Sequence, residues 1–384
     1  MRLSRNVVVL GIVSLLADVS SDMVVPLLPA FIVTLGGGAA FIGLIEGVAE
    51  AASALLKYAS GGWADRARRL LPLAAVGYAL AVAARPFLAI ARVPWHVLAV
   101  RSIDRVGKGI RTSPRDKLLA ASAPRERLAE AFSFHRGMDH AGAAIGPLLA
   151  AALLGIWPGQ IRRVFLLAAV PGAAALLALF IVRETPRATG AAAPPPVRRG
   201  PVPLRLLLAI GVFTLGNSTD ALLLLRAASL GVPTAQLPLL WAALHLVRAV
   251  CSWPLGRAAD RLGRQRTLAA GWLWYALCYA GFARARAPLA IWALFAAYGL
   301  VAALTEGTER ALIADAVEPG ARGRALGLYN LVTGAGLLAA SVLAGQLWEL
   351  ISPAAALLTG AALAAIAAAI LLSGPQPARR APAA

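Results

Sequence analysis

The sequence predicts an all-α membrane protein in which twelve transmembrane helices form two pseudo-symmetric six-helix bundles. Three observations lead there. Of the 384 residues, 59% are hydrophobic and only 14% are charged, with a mean hydropathy of +0.73, more apolar surface than a soluble domain needs. Runs of about 20 apolar residues recur along the chain, the length that crosses a bilayer core as a helix. The second half also repeats the first. Asp65 in GGWADRARR matches Asp260 in GRAADRLGR, Arg115 matches Arg310, and Pro124 matches Pro319, each pair 195 positions apart. SSDM at Ser20 and STDA at Ser218 correspond once three residues are dropped from the first outer loop.

The spans run at about 8–34, 41–62, 70–91, 93–121, 129–155 and 162–183, then about 203–229, 235–257, 267–285, 287–316, 324–349 and 353–373. The first reads as a retained helix and not a cleaved signal, because Asp18 and Asp22 interrupt its apolar run. Residues 1–185 and 203–384 are the two bundles, and 186–202, rich in Pro, Ala and Arg, is a cytoplasmic linker. Spans six, nine and twelve hold no interior ionisable group and span three only Arg85, so every third helix suits lipid while the others face the interior.

Arginine placement sets the orientation. Arg2, Arg5, Arg66, Arg68, Arg69, the linker arginines, Arg257, Arg261, Arg264, Arg266, Arg379 and Arg380 share one side, leaving few for the other. By the positive-inside rule both termini are cytoplasmic, in a multi-pass protein of the cytoplasmic (inner) membrane. The net charge of +19 does not imply nucleic acid, because the arginines lie in short loops and on intramembrane faces with no soluble basic module. Cys251 and Cys278 have neither metal-ligand nor disulfide spacing. No nucleophile–base set points to an enzyme, no metal or cofactor is expected, and the chain is expected to act as a monomer with small-molecule substrate, protons and lipid as its partners.

Span four departs most from its neighbours. Arg101, Arg105, Lys108, Thr112 and Arg115 fall within an arc of about 80° on a helix, flanked by Asp104, Arg111 and Asp116. One charge at the bilayer centre costs about 2.5–3.5 kcal/mol, so this strip must face protein, water or an anion. Asp18 and Asp22 are four apart, as are Glu46 and Glu50, so each pair shares a helix face. Asp22 and Glu50 lie near the depth of Arg105 and Lys108. Two readings are open: a buried structural ion network, or a relay in which a carboxylate alternates between arginine and a proton. The strip, Arg101, Lys108, Arg111 and Arg115, also suits an anionic substrate.

In span five, Asp139 with His135 and His140 forms a titratable cluster; a metal site there is disfavoured because there is no thiolate cluster and the chain has four histidines. The second half offers Asn217, Asp220, His245, Arg248, Glu306 and Arg310 as the matching polar set, and Tyr329, Asn330 and Thr333 add uncharged hydrogen-bonding groups. Glu306 takes the place of Arg111 in the repeat, so the halves present opposite charge there; a substrate with one end on each half or a cross-half ion pair explains that equally. Trp272, Trp274, Tyr275 and Tyr279 read as packing or belt residues of span nine.

The whole chain resembles the major facilitator superfamily. Gly256, Asp260, Arg261, Gly263 and Arg264 match that family's G-x-x-x-D-R-x-G-R-R loop; the first copy keeps Gly61, Asp65, Arg66 and Arg69 but has Arg68 at the glycine position. The resemblance implies that this loop locks the outward-facing state. Arg105 with Gly109 looks like the family's R-x-x-Q-G motif, tied to proton coupling, with Lys108 replacing glutamine. Gly142, Gly146 and Pro147 resemble the antiporter-linked G-x-x-x-G-P motif, although Ala150 and Ala151 stand where paired glycines usually follow. GKGIRTSPRD is similar to a stretch of a poorly characterised bacterial branch.

Two related halves imply a transporter with a midplane site. The expectation is a proton-coupled exporter of a small, anionic organic compound working by alternating access. Its coupling residues would be Asp22, Glu50, Asp18, Glu46, Arg105 and Asp139. Uptake of an organic anion or metal chelate is the alternative within transport, and a non-transporting membrane sensor the alternative outside it.

Overall fold

The computed structural model describes residues 4–123, 128–184, 202–317 and 322–374. The first half comprises α1 (Arg5–Asp22), α2 (Leu28–Thr34), α3 (Ala39–Arg66), α4 (Leu71–Ala84), α5 (Pro94–Ala121), α6 (Leu128–Ile156), α7 (Ile161–Leu167) and α8 (Ala169–Leu179). The second comprises α9 (Leu204–Gly216), α10 (Ala221–Ser229), α11 (Leu237–Leu262), α12 (Arg264–Arg284), α13 (Pro288–Asp315), α14 (Arg322–Leu350) and α15 (Pro353–Leu372). The predicted linker 186–202 lies outside the described residues apart from Val202.

Ten spans among the described residues are long and apolar enough to cross a membrane. The two remaining long helices, α5 and α12, fill the fourth and ninth predicted positions. α5 carries eight charged residues, and α12 begins Arg264-Gln265-Arg266 and ends at Arg284. Large apolar side chains on the third, sixth, ninth and twelfth spans are exposed, among them Val76, Leu177, Leu277 and Ile366, as lipid-facing helices require.

The helix ends follow local chemistry. Ser352 caps α15 by accepting from the Ala355 amide at 3.1 Å, and Pro94, Pro288 and Pro353 open their helices, where no amide partner is missed. Gly263 makes the turn between α11 and α12 at φ +101°, a conformation that suits glycine. In the first copy, where Arg68 replaces that glycine, the chain leaves α3 through Ala67 in extended conformation instead (φ −72°, ψ 132°).

Two spans are broken at matching places. The first loses its α-helix after Asp22, with Pro26 and Pro29 just beyond; the seventh loses it over residues 217–220. Asp22 and Asp220, which the repeat pairs, therefore both stand at helix discontinuities. Freed backbone in a bilayer must find partners. Tyr275 supplies one by donating to the Gly216 carbonyl at 2.8 Å.

Small residues bring the helices together. A methyl group on Gly142 would lie 2.5 Å from the Leu15 carbonyl oxygen, and one on Gly146 2.6 Å from that of Val19, so the G-x-x-x-G-P segment of α6 lies directly on α1. The packing of the two halves differs. The second half has an aromatic core, with Phe213 stacked on Trp272 at 4.8 Å and Tyr275 on Tyr279 at 4.0 Å. The first is mostly aliphatic around charged helices, with Phe31 edge-on to Phe165 at 5.1 Å.

The chain's entry into α1 and exit from α8 lie together, since the Asn6 amide donates to the Arg183 carbonyl at 2.7 Å. At the opposite, far end the halves meet along α3 and α14. Methyl groups on Gly43 and Gly345 would lie 2.1 Å from the Ser341 oxygen and 2.6 Å from the Ala39 oxygen. Glu349 of α14 caps α3 across this seam by accepting from the Ala40 amide at 3.0 Å. The Ala54–Gly334 contact lies farther from that end; beyond it Lys57, Tyr58 and Leu331 are exposed, Tyr58 by 84%. The halves thus close at the far end and part toward the end that carries the termini.

Candidate functional site

The charged strip of α5 resolves into separate pairings. The Arg101 guanidinium forks onto Glu46 of α3, with Nε and Nη2 each 2.9 Å from a carboxylate oxygen, while Nη1 lies 3.3 Å from Asp104. Asp104 also accepts from Arg85, 2.9 Å away, and Arg85 donates to Ser20 and to the Ala17 carbonyl. Arg85, Arg101 and Asp104 are at most 4% exposed. One helix turn along, Arg105 pairs with Glu50 at 3.2 Å. The two carboxylates and the two arginines are each four apart on helices that run the same way, so one register makes both pairs.

Nearer the terminus end, Arg115 pairs with its neighbour Asp116 at 2.8 Å and donates to Ser14 at 3.4 Å; Ser14 in turn donates to Asp139. His135 and Arg136 both lie 3.6 Å from Asp139. Arg111 stacks over the Tyr78 ring at 4.4 Å, 3% exposed, and its Nε and Nη1 have no hydrogen-bond partner.

The second half builds its polar centre on tyrosine and tryptophan. Asp220, at the break between α9 and α10, accepts from the Tyr298 hydroxyl at 2.7 Å and pairs with Arg248 at 3.1 Å. Glu309 accepts from Trp272 at 3.1 Å and from Tyr329 at 2.7 Å. Trp272 and Tyr275 are fully buried, which fits packing and not an interfacial belt. Tyr275→Phe is expected to destabilise the protein by about 1–3 kcal/mol, because the Gly216 carbonyl loses its donor in a dry site. Denaturant unfolding in mixed micelles reads this, and a change below about 0.5 kcal/mol would mean that the freed carbonyl has another partner.

The halves touch inside the protein where Trp241 of α11 donates to Asp22 at 3.1 Å, with the His245 ring tilted against that of Trp241, centroids 5.0 Å apart. Sequence reasoning did not single out Trp241, Tyr298, Tyr78 or Ser14. A signal for Trp241 existed: at the offset of 195, Trp241 and His245 stand where Glu46 and Glu50 stand in the first half.

Among the described residues, the side chains of Asp18, Lys57, Lys108, Asn217, Glu306, Arg310 and Asn330 have no hydrogen-bond or ion-pair partner. Lys57, Glu306, Arg310 and Asn330 are exposed. Lys108 is half-buried, within electrostatic reach of Asp18 and Glu50, and Lys57 is within such reach of Arg310 in the other half. These groups belong to the wedge between the halves. Arg101 does not: it lies inside the first bundle, and Arg115 and His135 are likewise buried there, at 8% and 2% exposure.

Of the predicted gating residues, Gly142, Gly146 and Pro147 lie within α6 against α1, and those of the two loops lie at the terminus end. Asp65 pairs with Lys117 of α5, which also reaches the Gly61 carbonyl at 3.2 Å; Arg66 is exposed. In the repeat, Arg264 pairs with Asp315 of α13 at 2.5 Å, with the charges exchanged; Arg261 also has a partner. The Asp260 side chain lies outside the described residues. Each of these loops is thus tied to its own half.

The model of the Major Facilitator Superfamily matches residues 10–244 and 206–384. An uncharacterized MFS-type transporter of Methanocaldococcus jannaschii is 33% identical over 383 residues, 96% of this chain and 95% of that protein. An uncharacterized protein of Mycobacterium tuberculosis is 30% identical over 358 residues, 90% of this chain and 87% of that protein. Among solved structures, a bacterial homolog of the human lysosomal transporter Spinster, inward-facing and occupied, superposes with a TM-score of 0.76 at 17% identity, covering 95% of each chain.

Proposed function

Because the chain belongs to the Major Facilitator Superfamily, we propose that this secondary transporter exports a small organic compound with an anionic group across the cytoplasmic membrane, driven by protons. That it is a membrane transporter of small molecules and not an enzyme follows from the family itself. The observation that carries the finer reading is the contrast within α5. Arg105 is held by Glu50 at 3.2 Å, while the neighbouring Lys108 has no partner and shares Glu50's field.

In this reading Glu50 alternates between Arg105 and a proton. Protonation frees the arginine, and the freed arginine and Lys108 then hold the substrate's anionic group. Asp22 is the second exchangeable carboxylate, because its bond from Trp241 joins the halves and must break when they rock. Asp18 and Asp139 extend the relay toward the terminus end through Ser14 and Arg115. Glu46 fixes Arg101, and with it the register of α5 on α3. Lys57, Asn217, Asp220, His245, Glu306, Arg310 and Asn330 line the route on both walls. Gly61, Asp65, Arg66, Asp260, Arg261 and Arg264 act where the terminus end closes, and Gly142, Gly146 and Pro147 keep α6 tight on α1.

Proteoliposomes loaded with a pH-reporting dye test the coupling. Small carboxylates and amino acids added on one side are expected to move protons through the wild type. Asp22→Asn and Glu50→Gln are expected to reduce the initial proton flux at least tenfold, about 1.4 kcal/mol. Full pH-driven flux in both variants removes the coupling role from these residues.

A further inference from the structure

We propose that the transported compound is dipolar, with an anionic group that docks on Lys57 and Lys108 and a cationic group, an amine or amidine, that docks on Glu306. This rests on the transport reading above and goes on to name the class of cargo.

Two observations carry it. The first is the pattern of pairing. Glu46, Glu50, Asp104, Asp116, Asp139 and Asp220 each have a cationic partner, and Glu309 is held by Trp272 and Tyr329. Asp18 has no such partner but is half-buried on α1, whereas Glu306 is open. It is exposed and has no hydrogen-bond or ion-pair partner among the described residues. Arg248 is within its electrostatic reach but is committed to Asp220 at 3.1 Å. Arg310, one turn along α13, also has no partner and lies in the field of Lys57 across the wedge. The far wall of the wedge thus offers both an open carboxylate and an open guanidinium, while the near wall offers two open ammonium groups.

The second observation is the repeat. Glu306 stands where the first half has Arg111, 195 positions earlier. Arg111 is 3% exposed and stacked on Tyr78, whereas Glu306 is exposed. The second half has therefore reversed the charge at this position and turned it outward to the wedge. A purely anionic cargo spanning both walls would meet Glu306 as a like charge. An added cationic group converts that repulsion into a charge-assisted hydrogen bond.

Calorimetry on the purified full chain tests this with matched pairs: 4-aminobutyrate against butyrate, glutamate against glutarate, and alanylalanine against its N-acetyl derivative, with butylamine as the cation alone. The amine-bearing member of at least one pair is expected to bind tenfold or more tighter than its partner. Glu306→Gln is expected to remove that preference, and Glu306→Asp to retain most of it; thermal stability of both variants reports whether the fold is intact. Equal binding within every pair, tighter binding of the simple anions, no binding by any member, or a preference that survives Glu306→Gln in folded protein overturns the proposal. Anion binding that is lost in Lys108→Met, with no amine preference, sinks the dipolar cargo and leaves the transport reading standing. Binding indifferent to Lys108→Met sinks the reading it rests on.

Discussion

Asp104→Ala is expected to destabilise the protein by about 3–5 kcal/mol, the usual consequence of removing one partner from a buried ion pair. Asp104 is 4% exposed and holds Arg85 at 2.9 Å and Arg101 at 3.3 Å. Its loss strands Arg85 inside the bundle with only Ser20 and the Ala17 carbonyl as acceptors, and leaves Arg101 with Glu46 as its one paired carboxylate. Combining Arg85→Met with Asp104→Leu should recover most of the loss, because the pair is replaced by apolar volume and no ion is abandoned. Denaturant unfolding in mixed micelles, run as a double-mutant cycle, measures both effects. A single-variant loss under about 1 kcal/mol would mean that water reaches this network and screens it.

Gly43→Leu is expected to hold the far end open. The added Cβ would lie 2.1 Å from the Ser341 oxygen and 2.9 Å from its carbonyl carbon, both backbone atoms of the other half. Neither helix can yield without parting the seam. Overpacking of this kind costs about 1–3 kcal/mol, which lowers the closed population about 5- to 150-fold. Spin labels at Thr34 and Ser229, on the contacting helices α2 and α10, read the far-end distance directly. Gly62→Leu on the same helix is the control, since nothing lies within 4 Å of its added Cβ. If Gly43→Leu leaves the distance distribution at that of the control, the glycine seam is not what lets the far end shut.

Much of this architecture was legible in the sequence because a bilayer punishes error. Apolar runs must be spans, and the six charges of α5 between Arg101 and Arg115 had to be covered. The partners were legible only in part: depth along the helices puts Asp22 and Glu50 level with Arg105 and Lys108, and Glu50 does pair with Arg105, but Asp22 bonds to Trp241 and it is Glu46 that takes Arg101. Spacing does not say how deep a side chain lies. Arg101 and Lys108 share a face of α5, yet the first is locked inside the bundle and the second stands at the wedge. Helix periodicity also gave no sign that residues 217–220 leave the helix. The break is short and falls inside an otherwise apolar span, and the donor that supports it, Tyr275, is 59 residues away. Trp241 escaped for a related reason. An indole in an apolar run looks like packing until its N–H is seen 3.1 Å from a carboxylate of the other half.

The ion lattice of the first half has an electrical corollary. A transmembrane voltage does work of about 2.3 kcal/mol on each elementary charge carried through 100 mV. Arg85 and Arg101 with Asp104 and Glu46 travel as one neutral block when that half tilts, joined by Arg105 and Glu50 while Glu50 is unprotonated, so voltage does almost no work on them. Among the described residues, what the field can grip is the ions without counterions: Lys57, Lys108, Asp18, Glu306 and Arg310, together with Arg111, Asp22 and Glu309, which are held by uncharged groups alone. In the transport reading proposed above, part of the voltage sensitivity of the cycle then resides in side chains that also meet the cargo, and a cargo with balanced charges adds nothing to it.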